Sequence, residues 1–215
     1  MNFLYLLKTL KIIFFYKISN TKRYSELIQI PLKNKVKNIM EIGVYTARRS
    51  VELIESSKIF NKNIFYYGFD MFEDISDTEI KKELSKKPNS LLNISKKLSR
   101  INKKNYLIKG NTMSTLKKIN INQKFDLIFI DGGHRIKTIE NDWVYSIKLL
   151  ANKGIIVLDD YYVGDKNIIK KFGCNQLIEK INKKYLITFS NYTDYFDGKK
   201  YGIKLVFVRK KNDHN

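Results

Sequence analysis

Apolar residues follow two rhythms along this chain. Short, nearly continuous apolar runs occupy residues 36–42, 64–69, 106–109, 125–130 and 154–158. Runs of this length, bounded by polar residues, predict strands buried on both faces. Between them apolar positions recur every three or four residues, over 46–57, 78–100, 136–150 and 166–183. That spacing predicts helices, with Ile136, Ile139, Trp143, Ile147 and Leu150 marking one inner face and Pro88 breaking the 78–100 stretch in two. Two final strands are predicted at 185–190 and 202–208, joined by a loop rich in Tyr, Asp and Gly. Strand–helix alternation predicts an α/β fold built on a mostly parallel sheet, with helices on both faces and an antiparallel last strand.

The first 18 residues stand apart. Leu4, Leu7, Leu10 and Phe14 recur at helical spacing, and Lys8, Lys11 and Lys17 interrupt them. The uninterrupted apolar runs fall far short of the ~20 residues that span a bilayer, and no small-residue cleavage site follows. Residues 1–30 are therefore read as an N-terminal amphipathic helical segment, and 31–215 as the main domain. Three placements are open for the helix. It packs on the domain or on a partner subunit of a homo-oligomer, lies on a membrane surface with lysines at the headgroups, or caps a cleft.

Composition changes the picture in two places. The 215 residues carry a formal charge of +20, which suggests an anionic partner such as nucleic acid. Only six of the 41 basic residues are arginine, the side chain that base-reading proteins favour. A lysine-rich solvated surface accounts for the charge better, and an acidic or phosphorylated substrate stays open. Cys174 is the only cysteine, so there is no internal disulfide and no cysteine zinc site. That fits a cytoplasmic protein, membrane-peripheral if residues 1–18 touch lipid.

The candidate chemistry lies at strand ends. Glu41, Asp70, Asp131, Asp159 and Asp160 all sit at or just past the end of a predicted strand. In open α/β sheets ligands bind beyond the carboxyl ends of strands, so these acids would line one rim. In Met40-Glu41-Ile42-Gly43-Val44-Tyr45-Thr46-Ala47, Gly43 allows a sharp turn into a helix. Only one of three dinucleotide-fingerprint glycines is present, which argues against an oxidoreductase. Asp70 closes the second strand, where an acid can bond both ribose hydroxyls of a nucleoside or simply cap a helix.

Glu41-x-Gly43, then Asp70 followed by Met71, then Lys109-Gly110-Asn111-Thr112 after the third strand together resemble the cofactor half of class I S-adenosylmethionine-dependent methyltransferases. The stretches Phe125 to His134 and Lys153 to Tyr161 resemble that family's fourth and fifth strands. The resemblance covers roughly residues 35–162. It implies a Rossmann-like seven-stranded sheet, S-adenosylmethionine as cofactor, and Glu41, Gly43, Tyr45, Thr46, Asp70, Met71, Asn111, Thr112 and Asp131 around it. The sequence departs from the family at Tyr45 and Ala47, where glycines are common, and at Asn111, where an acid is common.

Asp131-x-x-His134 and the pair Asp159-Asp160 are similar to metal-dependent O-methyltransferases of the macrolide-sugar type. That likeness implies Asp131, Asp159 and Asp160 as ligands of Mg²⁺, or of Mn²⁺ or Ca²⁺, with His134 and Asp131 catalytic. An oxygen-rich set without cysteine suits such hard cations. An imidazole, with an unperturbed pKa of about 6.5, can deprotonate a hydroxyl near neutral pH. The leading expectation is O-methylation of a small-molecule, sugar or glycan hydroxyl. RNA methylation and a non-catalytic nucleotide-binding accessory role are the alternatives. Arg48 and Arg49 would meet the donor's carboxylate or an acidic substrate, or simply be solvated. Tyr192, Tyr195 and Tyr201 would shape the acceptor pocket.

Overall fold

A computed structural model describes residues 1–211 apart from 121, 197 and 199; His214 lies outside them. Two N-terminal helices, α1 (Phe3–Ile18) and α2 (Tyr24–Asn34), precede β1 (Asn38–Ile42) and α3 (Arg48–Ser57). Then come β2 (Phe65–Asp70), α4 (Asp77–Lys82), α5 (Leu91–Ser99), β3 (Lys104–Lys109) and α6 (Thr112–Lys118). The second half is β4 (Phe125–Ile130), α7 (Ile136–Leu149), β5 (Leu150–Val163), α8 (Lys166–Ile169), α9 (Asn175–Ile181), β6 (Tyr185–Phe189), β7 (Asp194–Phe196) and β8 (Tyr201–Lys210).

The strands form one sheet in the order β3-β2-β1-β4-β5-β8-β6, and β7 pairs with β8 off that path. Strands β1 to β5 are parallel neighbours, while β8 runs antiparallel to β5, β6 and β7. The expected seven strands and inverted last strand are present. The eighth, β7, falls in the Tyr/Asp/Gly stretch that the sequence pattern reads as loop.

The apolar runs are continuous because both faces of the central strands are covered. In β4, Leu127 and Phe129 pack under α1, α2, α3 and α5, whereas Ile128 and Ile130 pack under α6, α7 and α9. Trp143 is buried in the second of these cores, as its place on the α7 apolar face predicts. Pro88 lies between α4 and α5, so the 78–100 stretch is broken in two there as expected. Two helical expectations shift in detail. Gly173 lies in the turn that divides 166–183 into α8 and α9. On α1, the buried residues are Thr9, Ile13 and Tyr16. The stripe Leu4, Leu7, Leu10 and Phe14 faces outward instead.

The largest difference concerns β5. It extends 14 residues, through Asp159 and Asp160, so these acids lie inside a strand rather than past its end. The ladder to β8 is irregular between Leu158 and Tyr161, and Asp160 has a left-handed φ of 60° there. A bulge of this kind re-aims side chains and is common beside active sites.

Candidate active site

A cavity of about 990 Å³ opens at the carboxyl ends of the parallel strands. Glu41, Gly43, Tyr45 and Thr46 line it from β1 and the turn into α3. Asp70 and Met71 line it at the end of β2, and Asn111 and Thr112 at the start of α6. Asp131 and His134 come from the turn after β4, and Asp159 and Asp160 from β5. Every residue assigned from sequence to the cofactor, the cation or catalysis therefore borders one space.

The turn after β1 is held by its neighbours. Gly43 N donates to Phe69 O at 2.9 Å, and Asp131 N donates to Ile42 O at 2.8 Å. Gly43 has a φ of +90°, and a Cβ there would sit 1.9 Å from the Asp131 carbonyl oxygen. The close approach that requires glycine is thus to protein backbone. Asp70 clamps the same turn: one carboxylate oxygen accepts from Val44 N and Tyr45 N at 2.8 Å each, and the other accepts from Phe72 N at 2.8 Å. A carboxylate offers about four lone-pair sites, so room for a further donor remains.

Tyr45 and Ala47 hold φ of 51° and 55°. Neither residue is glycine, yet both hold the left-handed backbone that glycine favours.

Glu41 is fully buried beneath this turn. One oxygen accepts from Ser50 Oγ at 2.6 Å and also from Tyr66 Oη, while Oε1 has no partner. Burial pushes its carboxyl up to about 7, although Ser50 and Tyr66 pull the other way. Asn111 caps α6 by accepting from Met113 N at 2.9 Å.

The acids of the second half separate into two groups. Asp159 accepts from Arg23 Nε at 3.0 Å, from Arg23 Nη2 at 3.1 Å and from Tyr24 Oη at 2.6 Å. Arg23 also donates to Asp194 at 2.7 Å, so one buried guanidinium joins two buried carboxylates. Burial raises the Asp159 carboxyl, but the Arg23 charge and the bonds from Arg23 and Tyr24 hold it below the ordinary aspartate value.

Asp131, His134 and Asp160 form the other group, each offering a ligand atom within 4.8 Å of the others. The sequence reading grouped Asp131, Asp159 and Asp160; the structure turns Asp159 to Arg23 and brings His134 into the cluster. His134 Nε2 lies 3.0 Å from Asp160 Oδ2, and Nδ1 is buried without a partner. Burial, together with the neighbouring carboxylates, raises both Asp131 and Asp160. The α8–α9 turn fastens this pair from behind: Gly173 N donates to His134 O at 2.8 Å, and Cys174 N donates to Asp160 O at 3.1 Å.

Arg23, Tyr24 and Glu83 are site residues that the sequence reading missed. Glu83 accepts from Arg135 N at 3.0 Å and from Thr138 Oγ1 at 2.9 Å, tying the segment after α4 to the His134 turn. A signal for Arg23 did exist: it is the only arginine before Arg48 in a lysine-rich chain. Arginine's planar fork suits a buried bidentate pair where lysine does not. Arg48 and Arg49 both border the cavity and pair with Glu52. Of the three tyrosines proposed for the acceptor pocket, Tyr201 borders the cavity.

The chain matches the family described as "Methyltransferase domain" over residues 40–161, from within β1 into β5. No curated protein matches it by sequence. Among solved structures, the O-methyltransferase TomG from Streptomyces achromogenes, involved in tomaymycin synthesis and bound to SAM, is similar with a TM-score of 0.59 at 13% identity, covering 86% of this chain and 79% of TomG. An O-methyltransferase from Bacillus cereus in complex with SAH has a TM-score of 0.60 at 15% identity, covering 96% and 90%. An rRNA methylase from Streptococcus thermophilus has a TM-score of 0.59 at 11% identity, covering 88% and 97%. At such identities the likeness to these three is one of fold.

Proposed function

This chain belongs to the methyltransferase-domain family, with the class I S-adenosylmethionine-dependent fold, and we propose that it methylates a hydroxyl of a small molecule, sugar or glycan. The observation that carries this reading is the one cavity that Glu41, Asp70, Asp131, Asp160 and His134 all border.

The residues present fit the donor. Glu41 Oε1 is a buried acceptor without a partner on the cavity wall, suited to the donor's ammonium group. Asp70 and Met71 would hold the ribose and adenine, Asn111 and Thr112 the far edge of the adenine, and the Gly43–Thr46 turn the methionine portion. S-adenosylmethionine supplies a sulfonium-borne methyl group for in-line transfer.

The cluster beyond it fits a divalent cation. Two repelling carboxylates, half-buried Asp131 and buried Asp160, ionise together most easily with a cation between them. Mg²⁺ takes oxygen ligands, commonly one or two carboxylates, and the set suits Mn²⁺ as well. When bound, such an ion lowers the pKa of a hydroxyl beside it. This preference for oxygen leaves His134 as the base. Its Nε2, which faces Asp160 Oδ2 at 3.0 Å, takes the acceptor's proton, since Nδ1 is buried.

Calorimetry with S-adenosylmethionine on the wild type and on Asp70→Ala tests the donor site. Failure of the wild type to bind the donor rejects the reading. His134→Gln should retain Mg²⁺ binding and lower kcat by about 10²-fold or more. Loss of Mg²⁺ binding in that variant would make His134 a ligand and remove it as the base.

A second reading has its own observation. Arg48, Lys82, Lys86, Arg135 and Lys137 border the same cavity, in a chain of net charge +20. An RNA acceptor predicts RNA binding that falls steeply with salt. Salt-insensitive turnover of a small acceptor excludes it.

A further inference from the structure

Helix α1 is apolar nearly all the way round, and the protein body covers only one side of it. Thr9, Ile13 and Tyr16 face inward. There Thr9 Oγ1 donates to Ser56 Oγ at 3.2 Å, and Tyr16 Oη bonds Glu52 at 2.8 Å. Lys8 bonds Glu55 at 2.9 Å beside them. The helix is therefore fixed in one orientation on α3.

Its outer face carries Phe3, Leu4, Leu7, Leu10, Phe14 and Ile18, with Phe3, Phe14 and Ile18 at 66%, 65% and 68% exposure. Contiguous exposed apolar surface of this kind marks an interaction site. Positions 4, 7, 11, 14 and 18 form one row along that face, and Lys11 is its single charged member. No acid occurs in α1; the first in the chain is Glu26, whereas Lys8, Lys11, Lys17 and Lys22 all precede it.

We propose that this face of α1 docks the enzyme on an anionic lipid surface. The charge pattern selects the occupant. A second copy meeting α1 through the same row would set Lys11 near its own counterpart, with no carboxylate on either helix to neutralise the pair. An anionic bilayer accepts both features at once: the phenylalanines and leucines enter the headgroup–acyl boundary while lysine stems extend to the phosphates. The net charge of +20 adds attraction toward such a surface. Among the described residues no helix is long and apolar enough to cross a membrane. The helix therefore lies along the surface. The surface is independent of the donor and cation sites, so its test does not depend on them.

Co-sedimentation of the full chain with phosphatidylglycerol/phosphatidylcholine vesicles, and with phosphatidylcholine alone, reads this directly. The wild type should sediment with the anionic vesicles, release in high salt, and bind phosphatidylcholine at least tenfold more weakly. Leu7→Ser/Phe14→Ser should reduce anionic-vesicle binding by roughly tenfold or more. Lys11→Glu/Lys17→Glu should do so to a similar degree. All these positions are exposed, and an unchanged circular dichroism spectrum confirms the fold of each variant. Wild-type protein that stays in the supernatant overturns the proposal, as does equal binding to both vesicle types. A dimer in ultracentrifugation that dissociates on Leu7→Ser/Phe14→Ser, with no vesicle binding, overturns it in favour of a second copy.

Discussion

Replacing Arg23 by methionine should be among the most destabilising single changes in this protein. Arg23 is 5% exposed and neutralises Asp159 and Asp194, which are each 3% exposed. Methionine keeps much of the volume but leaves two carboxylates buried without their cation. Breaking a buried pair in this way costs about 3–5 kcal/mol. Typical domain stabilities are about 5–15 kcal/mol, so the variant would fold with a much reduced margin.

The pH dependence gives the sharper test. In the wild type Asp159 lies below its ordinary value of 3.8. A carboxyl depressed by folding stabilises above its unfolded value and loses that contribution as pH falls through the folded one. The wild type therefore keeps the Asp159 contribution down to about pH 3.8. In Arg23→Met the same carboxyl, buried without its cation, moves above the ordinary value, so the variant gains stability as pH falls from neutral. The gap between the two proteins should be widest at pH 7 and should narrow toward pH 5. Urea unfolding across that range measures it, and a cycle with Asp159→Asn isolates the pair. A deficit under about 1 kcal/mol at pH 7, or a gap that ignores pH, refutes the reasoning.

Two other outcomes follow from the turn after β1. Glu41 is raised by burial from 4.5 to about 7, so the fold favours its protonated form and stability falls as pH rises between those values. Glu41→Gln should therefore melt higher relative to the wild type at pH 8 than at pH 5, with an upper bound of about 3 kcal/mol on the difference; a pH-independent offset in melting temperature refutes it. Gly43→Ala places a Cβ 1.9 Å from the Asp131 carbonyl at a φ of +90°, and should cost about 3 kcal/mol or more in urea unfolding together with donor affinity. A variant of wild-type stability would show that the turn is free to move.

The sheet was legible in the sequence because its central strands are buried on both faces. A strand such as β4 then reads as an unbroken apolar run with no alternation to misjudge. The cavity was legible for a related reason: acids that end such runs have one rim to occupy. What escaped were long-range pairings. Nothing near Asp159 in sequence announces Arg23, 136 residues away, so the adjacent acids read as one cation site although their side chains have different partners. The β5 bulge that parts them also escaped, because the two acids look like the end of a strand that in fact continues to Val163. For α1, the 3.6-residue period identified a helix. It did not choose the packed face, since apolar residues occur all round it.

Strain in the backbone is distributed unevenly. Among the described residues, the non-glycine positions with left-handed φ are Lys35, Tyr45, Ala47, Phe72, Leu84 and Asp160. All but Lys35 border the cavity or adjoin a residue that does. Each such position costs of order 1–3 kcal/mol and persists only where its surroundings over-determine it. Those surroundings are visible here. Asp70 holds Tyr45 and Phe72 by their amides, and Cys174 N bonds the carbonyl of Asp160. A chain that keeps these conformations without the relief of glycine spends folding free energy on the shape of one crevice. The acids around it are thereby set in place before any ligand arrives, and preorganisation of this kind is what a methyl-transfer site needs, because in-line attack tolerates little misplacement.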